Sequence, residues 1–171
     1  MGISVQTTFK IRRFKPADLE HVMQINRICL PENYSSFFFT NLYERFPDTF
    51  VVAEENDKVV GYAMCRIERG IPSFKIIGLT KKGHLISFAV LPEYQRRGIG
   101  YALMRKVMQA MLLHEATECF LEVRVSNTPA INLYKKMGFR IARKNRSYYA
   151  DGEDAYLMSR QLPFTEKEIT H

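Results

Sequence analysis

The chain has 171 residues, 46% hydrophobic and 12% aromatic, enough apolar surface for one packed domain and too much for a wholly disordered chain. Its 25 basic and 18 acidic residues leave a formal charge of +7, which suits an anionic partner without choosing among nucleic acid, a phosphorylated cofactor and an acidic surface. No apolar run approaches the ~20 residues that a membrane-spanning helix needs.

Residues 1–10 lack the apolar core of a secretory signal, because Gln6, Thr7 and Thr8 interrupt it. Gln6 also stands where a myristoylation signal wants Ser or Thr. Val5, Thr7, Phe9 and Ile11 alternate with polar residues and predict a half-buried strand. Pro16 then opens a helix that turns Leu19, Val22, Met23 and Ile25 inward and runs to about Leu30. Leu30-Pro31-Glu32-Asn33-Tyr34 breaks it, and aromatic-rich 37–43 predicts a second, short helix. Residues 49–54 and 59–68 read as strands joined by the polar turn Glu55-Asn56-Asp57-Lys58, and 70–83 reads as a loop.

Residues 84–90 predict a strand that His84 begins. The turn Gln95-Arg96-Arg97-Gly98-Ile99-Gly100 follows, then a long helix with Ile99, Leu103, Val107, Ala110 and Met111 at three- and four-residue steps. Residues 119–125 read as a strand. Ser126 or Asn127 caps the next helix, which carries Pro129 in its first turn and Gly138 just past its end. Residues 139–149 and 154–160 predict a hairpin around Asp151-Gly152, and 163–171 a frayed tail. The two strand–helix–strand stretches of the second half predict parallel pairing, the early strands hairpins. The expected architecture is α/β, a mixed sheet with helices on both faces. Cys29, Cys65 and Cys119 are odd in number, far apart and without CxxC spacing, so they read as free buried thiols of a reducing cytosol, with neither a disulfide framework nor a metal site.

The turn at 95–100 lies between a strand and a helix. A helix's first turn offers unpaired N–H groups and the positive end of its dipole, glycines let an anion come close, and Arg96 and Arg97 add charge. These features make a pyrophosphate site. The same turn also reads as a tight β–α connection with solvated arginines, and it matches neither the GxGxxG nor the P-loop pattern.

Val90-x-Pro92-x-x-Gln95-Arg96-Arg97-Gly98-Ile99-Gly100 resembles the acetyl-coenzyme A motif of the GNAT N-acetyltransferases. Glu122-Val123-Arg124-Val125-Ser126-Asn127-x-x-Ala130-Ile131-x-Leu133-Tyr134-x-x-x-Gly138-Phe139 resembles the family's second signature, in the right order. Leu30-Pro31-Glu32-Asn33-Tyr34 and Tyr148-Tyr149-Ala150-Asp151-Gly152-Glu153-Asp154-Ala155-Tyr156 look like the N-terminal protein acetyltransferases, near the NatA-type catalytic subunit and archaeal Ard1/RimI-like enzymes. The resemblance runs from about Ile11 to Leu162 and implies one catalytic domain over 1–162, with 163–171 as a flexible tail.

It implies a GNAT fold in which the strand ending at Val90 splays from the strand at 119–125, with the pantetheine arm of acetyl-coenzyme A in the gap. Backbone groups of Phe88, Ala89 and Val90 then pair with that arm. Gln95, Arg96, Arg97, Gly98, Ile99, Gly100 and Tyr101 hold the pyrophosphate, and Asn127 bonds the arm as well as capping its helix. The reaction implied is direct acetyl transfer, in a ternary complex, to the α-amine at a protein N-terminus. An α-amine needs less help to lose its proton than a lysine, their ordinary pKa values being about 8 and about 10.4. Glu122 is the leading base. Glu32 is the second candidate, or shapes the peptide entrance. His84 is the third, and to act as a base it needs a pKa near its ordinary value of about 6.5. Tyr134 matches the family's acid for the leaving thiolate. Tyr34, Tyr148 and Tyr149 form the peptide slot, and strand alternation lets only one of the last two face it, Tyr149 by preference. Two further readings stand beside this one: a lysine or small-amine acetyltransferase of the same fold, and a ribosome- or nucleic-acid-binding module, for which no RNA-recognition signature is present. A cytoplasmic enzyme near the ribosome, with no specific nucleic acid and no membrane as partner, is the expectation.

Overall fold

The structure, a computed structural model, describes residues 8–75 and 77–165; the expected strand positions Val5 and Thr7, and 166–171 of the expected tail, lie outside them. The chain runs β1 (Phe9–Arg13), α1 (Leu19–Cys29), α2 (Ser36–Arg45), β2 (Phe50–Glu55), β3 (Lys58–Gly70), β4 (Thr80–Val90), α3 (Ile99–Leu113), β5 (Glu118–Arg124), α4 (Thr128–Lys136), β6 (Arg140–Asn145) and β7 (Ala155–Gln161). The described strands form a seven-stranded sheet in the order β1-β2-β3-β4-β5-β7-β6. Pro16 starts a 3-10 turn over Pro16–Asp18 rather than α1 itself. Asp18 there is gripped by Arg12 at 2.7 and 2.8 Å.

Helices cover both faces. On one, the Asn26 amide of α1 donates to the Tyr62 hydroxyl, 3.1 Å away, and Tyr62 shares a 2.6 Å hydrogen bond with Ser87 of β4. On the other, α3 buries Leu103, Val107 and Met111, one helical stripe, against the sheet. Gly83 of β4 makes that approach possible, because a β-carbon there would overlap the Met111 side chain.

Three expectations are corrected. The stretch 70–83 is not one loop: β3 continues to Gly70 and β4 begins at Thr80, pairing Gly70 with Thr80. His84 is therefore in mid-strand. The charged run hid the strand because Lys82 is buried there, 3.8 Å from buried Glu118, its ammonium donating to the Ile71 carbonyl and lying over the Phe120 ring. Next, β4 and β5 are parallel as expected, but β5 and β6 are not neighbours; β7 inserts between them, antiparallel to both. Finally, the connection between β6 and β7 is not a tight turn at Asp151-Gly152 but a loop over 146–154. Tyr148 and Tyr149 belong to that loop and not to a strand. Gly152 (φ +89°) closes a smaller turn inside it, its N–H donating to the Tyr149 carbonyl.

The parallel pair is the feature that positions everything else. β4 and β5 pair only at Lys82–Glu118, Gly83–Cys119 and His84–Phe120. Beyond His84 they separate. β4 also changes course there: Cys65 pairs with Leu85 and Met64 with Ser87, so Ile86 is the extra residue of a bulge.

Candidate active site

The separated strands open onto a cavity of about 1460 Å³ that runs from the 95–101 turn, past Phe88 and Val90, to Glu32, Tyr34, Tyr148 and Tyr149. At one end, Arg96 (φ +62°) and Gly98 (φ +84°) take left-handed conformations, which curl the backbone ahead of α3. Gly98 has no atom within 4 Å of where a β-carbon would stand, so its outer face is open. The first intrahelical bond runs from the Ala102 N–H to the Gly98 carbonyl. The amides of Ile99, Gly100 and Tyr101 precede it, the donors that a helix start leaves for an anion. The turn fits a pyrophosphate on these grounds.

Two residues of the turn have work within the fold. Gln95 donates its side-chain amide to the Val90 carbonyl at 2.9 Å, fastening the turn to the end of β4. That carbonyl also lies 3.6 Å from the Cys29 thiol. Arg97 lies 3.2 Å from the Glu55 carboxylate and over the Tyr94 ring. Asn127 caps α4, its side-chain oxygen accepting from the Ala130 N–H, and it lines the cavity as well.

At the centre, a row of charges crosses three strands. The Arg66 Nε is 2.6 Å from Glu68 Oε2, and that oxygen is 2.5 Å from His84 Nδ1. His84 Nε2 is 2.6 Å from Glu122 Oε2. Phe120 stacks on the imidazole with centroids 4.2 Å apart. Burial alone would lower the His84 pKa, but hydrogen bonds to Glu122 and Glu68 outweigh it and hold the ring above its ordinary 6.5. The Glu68 carboxyl is drawn down to about 2, chiefly by His84 with Arg66 assisting. His84 thus sits between two carboxylates that favour its charged form. Of this row Glu122 lines the cavity.

Tyr134 reaches the cavity from the opposite face of the sheet. Its ring packs against Phe88 and, edge-on, Phe139, and burial raises its phenol pKa, with Cys119 and Cys65 nearby. The phenol keeps its proton at neutral pH. Burial pushes the Cys119 thiol up to about 12, so it offers no thiolate for a covalent intermediate.

The outer walls are joined by Arg124 of β5, a residue whose role the sequence reading left unassigned. Its guanidinium lies 2.6 Å from Glu32 in the α1–α2 loop, and 2.8 and 2.9 Å from Asp151 and Glu153 in the β6–β7 loop. It also stacks 4.1 Å over the Tyr149 ring. Glu32 is therefore part of a clamp across the slot. Tyr34 stacks on Phe38, and Tyr148 meets Tyr149 edge-on. Both Tyr148 and Tyr149 line the cavity, so strand alternation does not choose between them. Burial and then Glu122 push the Tyr148 phenol up to about 12; burial, Glu32 and Tyr148 raise that of Tyr149. Glu68, Arg66 and Arg124 are the residues that sequence reasoning missed. Glu68 and Arg66 read as the end of an alternating strand, and only strand register brings them to His84.

Known proteins resemble this chain in sequence and fold. An N-alpha-acetyltransferase of Sulfurisphaera tokodaii is 50% identical over 156 residues, covering 90% of this chain and 93% of that protein. The crystal structure of Ard1 from Thermoplasma volcanium is 30% identical and superposes with a TM-score of 0.80, covering 92% of this chain and all of that one. Arabidopsis thaliana NAA60, solved in complex with acetyl-CoA, is 25% identical with a TM-score of 0.78, covering 91% and 100%. Residues 19–139 match the Acetyltransferase (GNAT) family, and with the splayed β4–β5 pair and the glycine turn at the start of α3, they make this chain a member of that family.

Proposed function

We propose that this acetyl-CoA-dependent N-α-acetyltransferase seats the α-amine of a protein N-terminus against Glu122, in the slot walled by Tyr34, Tyr148 and Tyr149, with Tyr134 as the proton donor on the far side of the gap. The observation that carries this reading is the opening between β4 and β5, which Glu122 and Tyr134 line from opposite faces of the sheet. Acetyl-coenzyme A supplies the acyl group as a thioester. The turn at Arg96–Gly98 and the first amides of α3 hold its pyrophosphate, and Gln95 and Asn127 fix the two ends of the gap. Glu122 takes the proton that the amine loses as its nitrogen bonds to the acyl carbon. Tyr134 returns a proton to the sulfur as the carbon–sulfur bond breaks. Holding amine and thioester together supplies much of the rate, and direct transfer needs no enzyme-bound acyl group.

Glu32 shapes the entrance through Arg124, whose guanidinium holds its carboxylate, and is not the base in this reading. The catalytic unit extends over 1–162, and Leu162 is buried at its end. No helix among the described residues is long and apolar enough to cross a membrane. Cys29, Cys65 and Cys119, free thiols, support a cytoplasmic setting. The exposed basic residues Arg143, Lys144 and Arg146, which lead from β6 into the slot loop, support proximity to the ribosome.

Steady-state kinetics on Glu122→Gln and Tyr134→Phe, with cofactor affinity measured by calorimetry, test the assignment. Each variant lowers kcat and leaves coenzyme A affinity near that of the wild type. Unchanged turnover in both removes these two roles.

A further inference from the structure

The row Arg66–Glu68–His84–Glu122 is more than an ion-pair network that braces three strands. His84 has a carboxylate oxygen at each ring nitrogen, at 2.5 and 2.6 Å. An ionised carboxylate only accepts hydrogen bonds, so with both carboxylates ionised both nitrogens donate and the ring carries both protons. A neutral ring would set a lone pair against one of the two carboxylates. The outer carboxylate is kept ionised by a second cation, because Glu68 Oε2 accepts from Arg66 as well as from His84. Phe120 fixes the plane of the ring from one side. The inner end of the row is Glu122, the member whose side chain meets the cavity.

We propose that Glu68 is a positioning residue for acetyl transfer: anchored by Arg66, it grips His84 Nδ1, keeps the ring doubly protonated and aims Nε2–H at one oxygen of Glu122, leaving the other oxygen to the incoming amine. This rests on Glu122 as the proton acceptor. A cationic His84 does not compete for the amine's proton, and one fixed hydrogen bond sets the carboxylate's orientation where a loose one would let it rotate. Other ionisable groups around the ring do not substitute for Glu68. Lys82, beyond Phe120, is matched by Glu118. Tyr34 and Tyr148, which lie toward Glu122 on the slot side, have phenol pKa values raised by burial and stay neutral at pH 7.

The test is a proton-NMR titration of His84 in the full-length protein, alongside the pH profiles of kcat and of both KM values with an unblocked peptide. The chain has 4 histidines, and the signal missing from His84→Asn assigns the one of interest. In the wild type, His84 stays protonated through neutral pH. Glu68→Gln lowers its midpoint by at least about one pH unit, a tenfold change in acidity, shifts the kcat profile with it and leaves the KM for acetyl-coenzyme A unchanged. Glu68→Asp keeps the charge, so His84 stays protonated and kcat recovers part of the loss. Should Glu68→Gln fail to fold, as judged by its melting curve, the aspartate variant and its intermediate kcat carry the test. A Glu68→Gln protein with wild-type His84 midpoint and wild-type kcat profile overturns the proposal. Full kcat in Glu122→Gln, with the His84 midpoint still displaced by Glu68→Gln, locates the failure in the choice of base instead.

Discussion

Glu122 and Tyr134 stand on opposite faces of the sheet and meet one cavity because β4 and β5 stop pairing at His84 and Phe120. On β5, Phe120, Glu122 and Arg124 point to the face that carries His84 and Glu32, whereas Cys119, Leu121 and Val123 point to the buried side where Tyr134 packs. A continuous parallel pair would wall the two residues off from each other. In the proposed mechanism, the separation lets one group act on the amine and the other on the sulfur.

Tyr134→Phe preserves the ring that packs against Phe88 and Phe139 and removes only the hydroxyl. We expect kcat to fall by at least about tenfold, the low side of what a positioned acid contributes, with little change in melting temperature. Stopped-flow thiol release and a melting curve on the same preparation check both halves.

Gly98 is open on its outer face and carries φ +84°, so a substitution there adds backbone strain, and a charged one also repels the pyrophosphate. Gly98→Asp should weaken coenzyme A binding by tenfold or more, about 1.4 kcal/mol, and Gly98→Ala by much less. Calorimetry on the pair separates charge from strain. Equal affinities for Gly98→Asp and wild type would refute the pyrophosphate seat.

Arg124 holds Glu32, Asp151 and Glu153 together across the slot. Arg124→Gln leaves three carboxylates facing one another without their cation, so the two loops lose their common anchor. The expected result is a several-fold rise in peptide KM with the coenzyme A affinity intact. A lowered kcat at unchanged peptide KM would instead place Arg124 at the chemistry.

These residues show where the sequence was legible. The turn at 95–100 could be read because its chemistry is local: a glycine at positive φ, a helix start and two arginines lie within six residues. The helical stripe of α3 was equally plain. The Arg124 clamp was not, because Glu32 lies 92 positions away in the chain. The charge row was hidden for a related reason. Arg66, Glu68, His84 and Glu122 meet only through the register of three strands and the bulge at Ile86. Tyr148 and Tyr149 were assigned to a strand on their strong β preference, whereas turns around Ser147 (φ +47°) and Gly152 hold them in a loop. The start of β4 was missed because Lys82 is charged, and only its burial against Glu118 and Phe120 makes it a strand residue.

The charge row also sets a pH window for stability. The Glu68 pKa falls from 4.5 to about 2 in the folded chain, so its contribution is complete above 4.5 and lost as pH drops toward 2. The His84 pKa is raised above 6.5, so its contribution is complete below 6.5 and lost as pH rises through the folded value. The melting temperature of the wild type should exceed that of a Glu68→Gln/His84→Asn double variant most between these limits. A difference that stays flat from about pH 3 to about pH 9 would contradict this.

Gly83 provides a purely structural control. Gly83→Ala sets a methyl group into the buried Met111 thioether, an overpacking change that costs about 1–3 kcal/mol. Melting should fall by roughly 2–12 °C, and coenzyme A affinity should survive in the folded fraction. A melting point equal to the wild type would mean that α3 does not approach β4 as closely as described.

The central claim is transfer of acetyl to the α-amine of a protein chain, and a peptide panel tests it most directly. Radiolabelled acetyl-coenzyme A is incubated with the enzyme and peptides whose N-termini are free or blocked, each with and without an internal lysine. The account predicts label on every accepted peptide with a free N-terminus, irrespective of lysine, and none on the blocked ones. Label confined to lysine in blocked peptides, with free N-termini untouched, would contradict it.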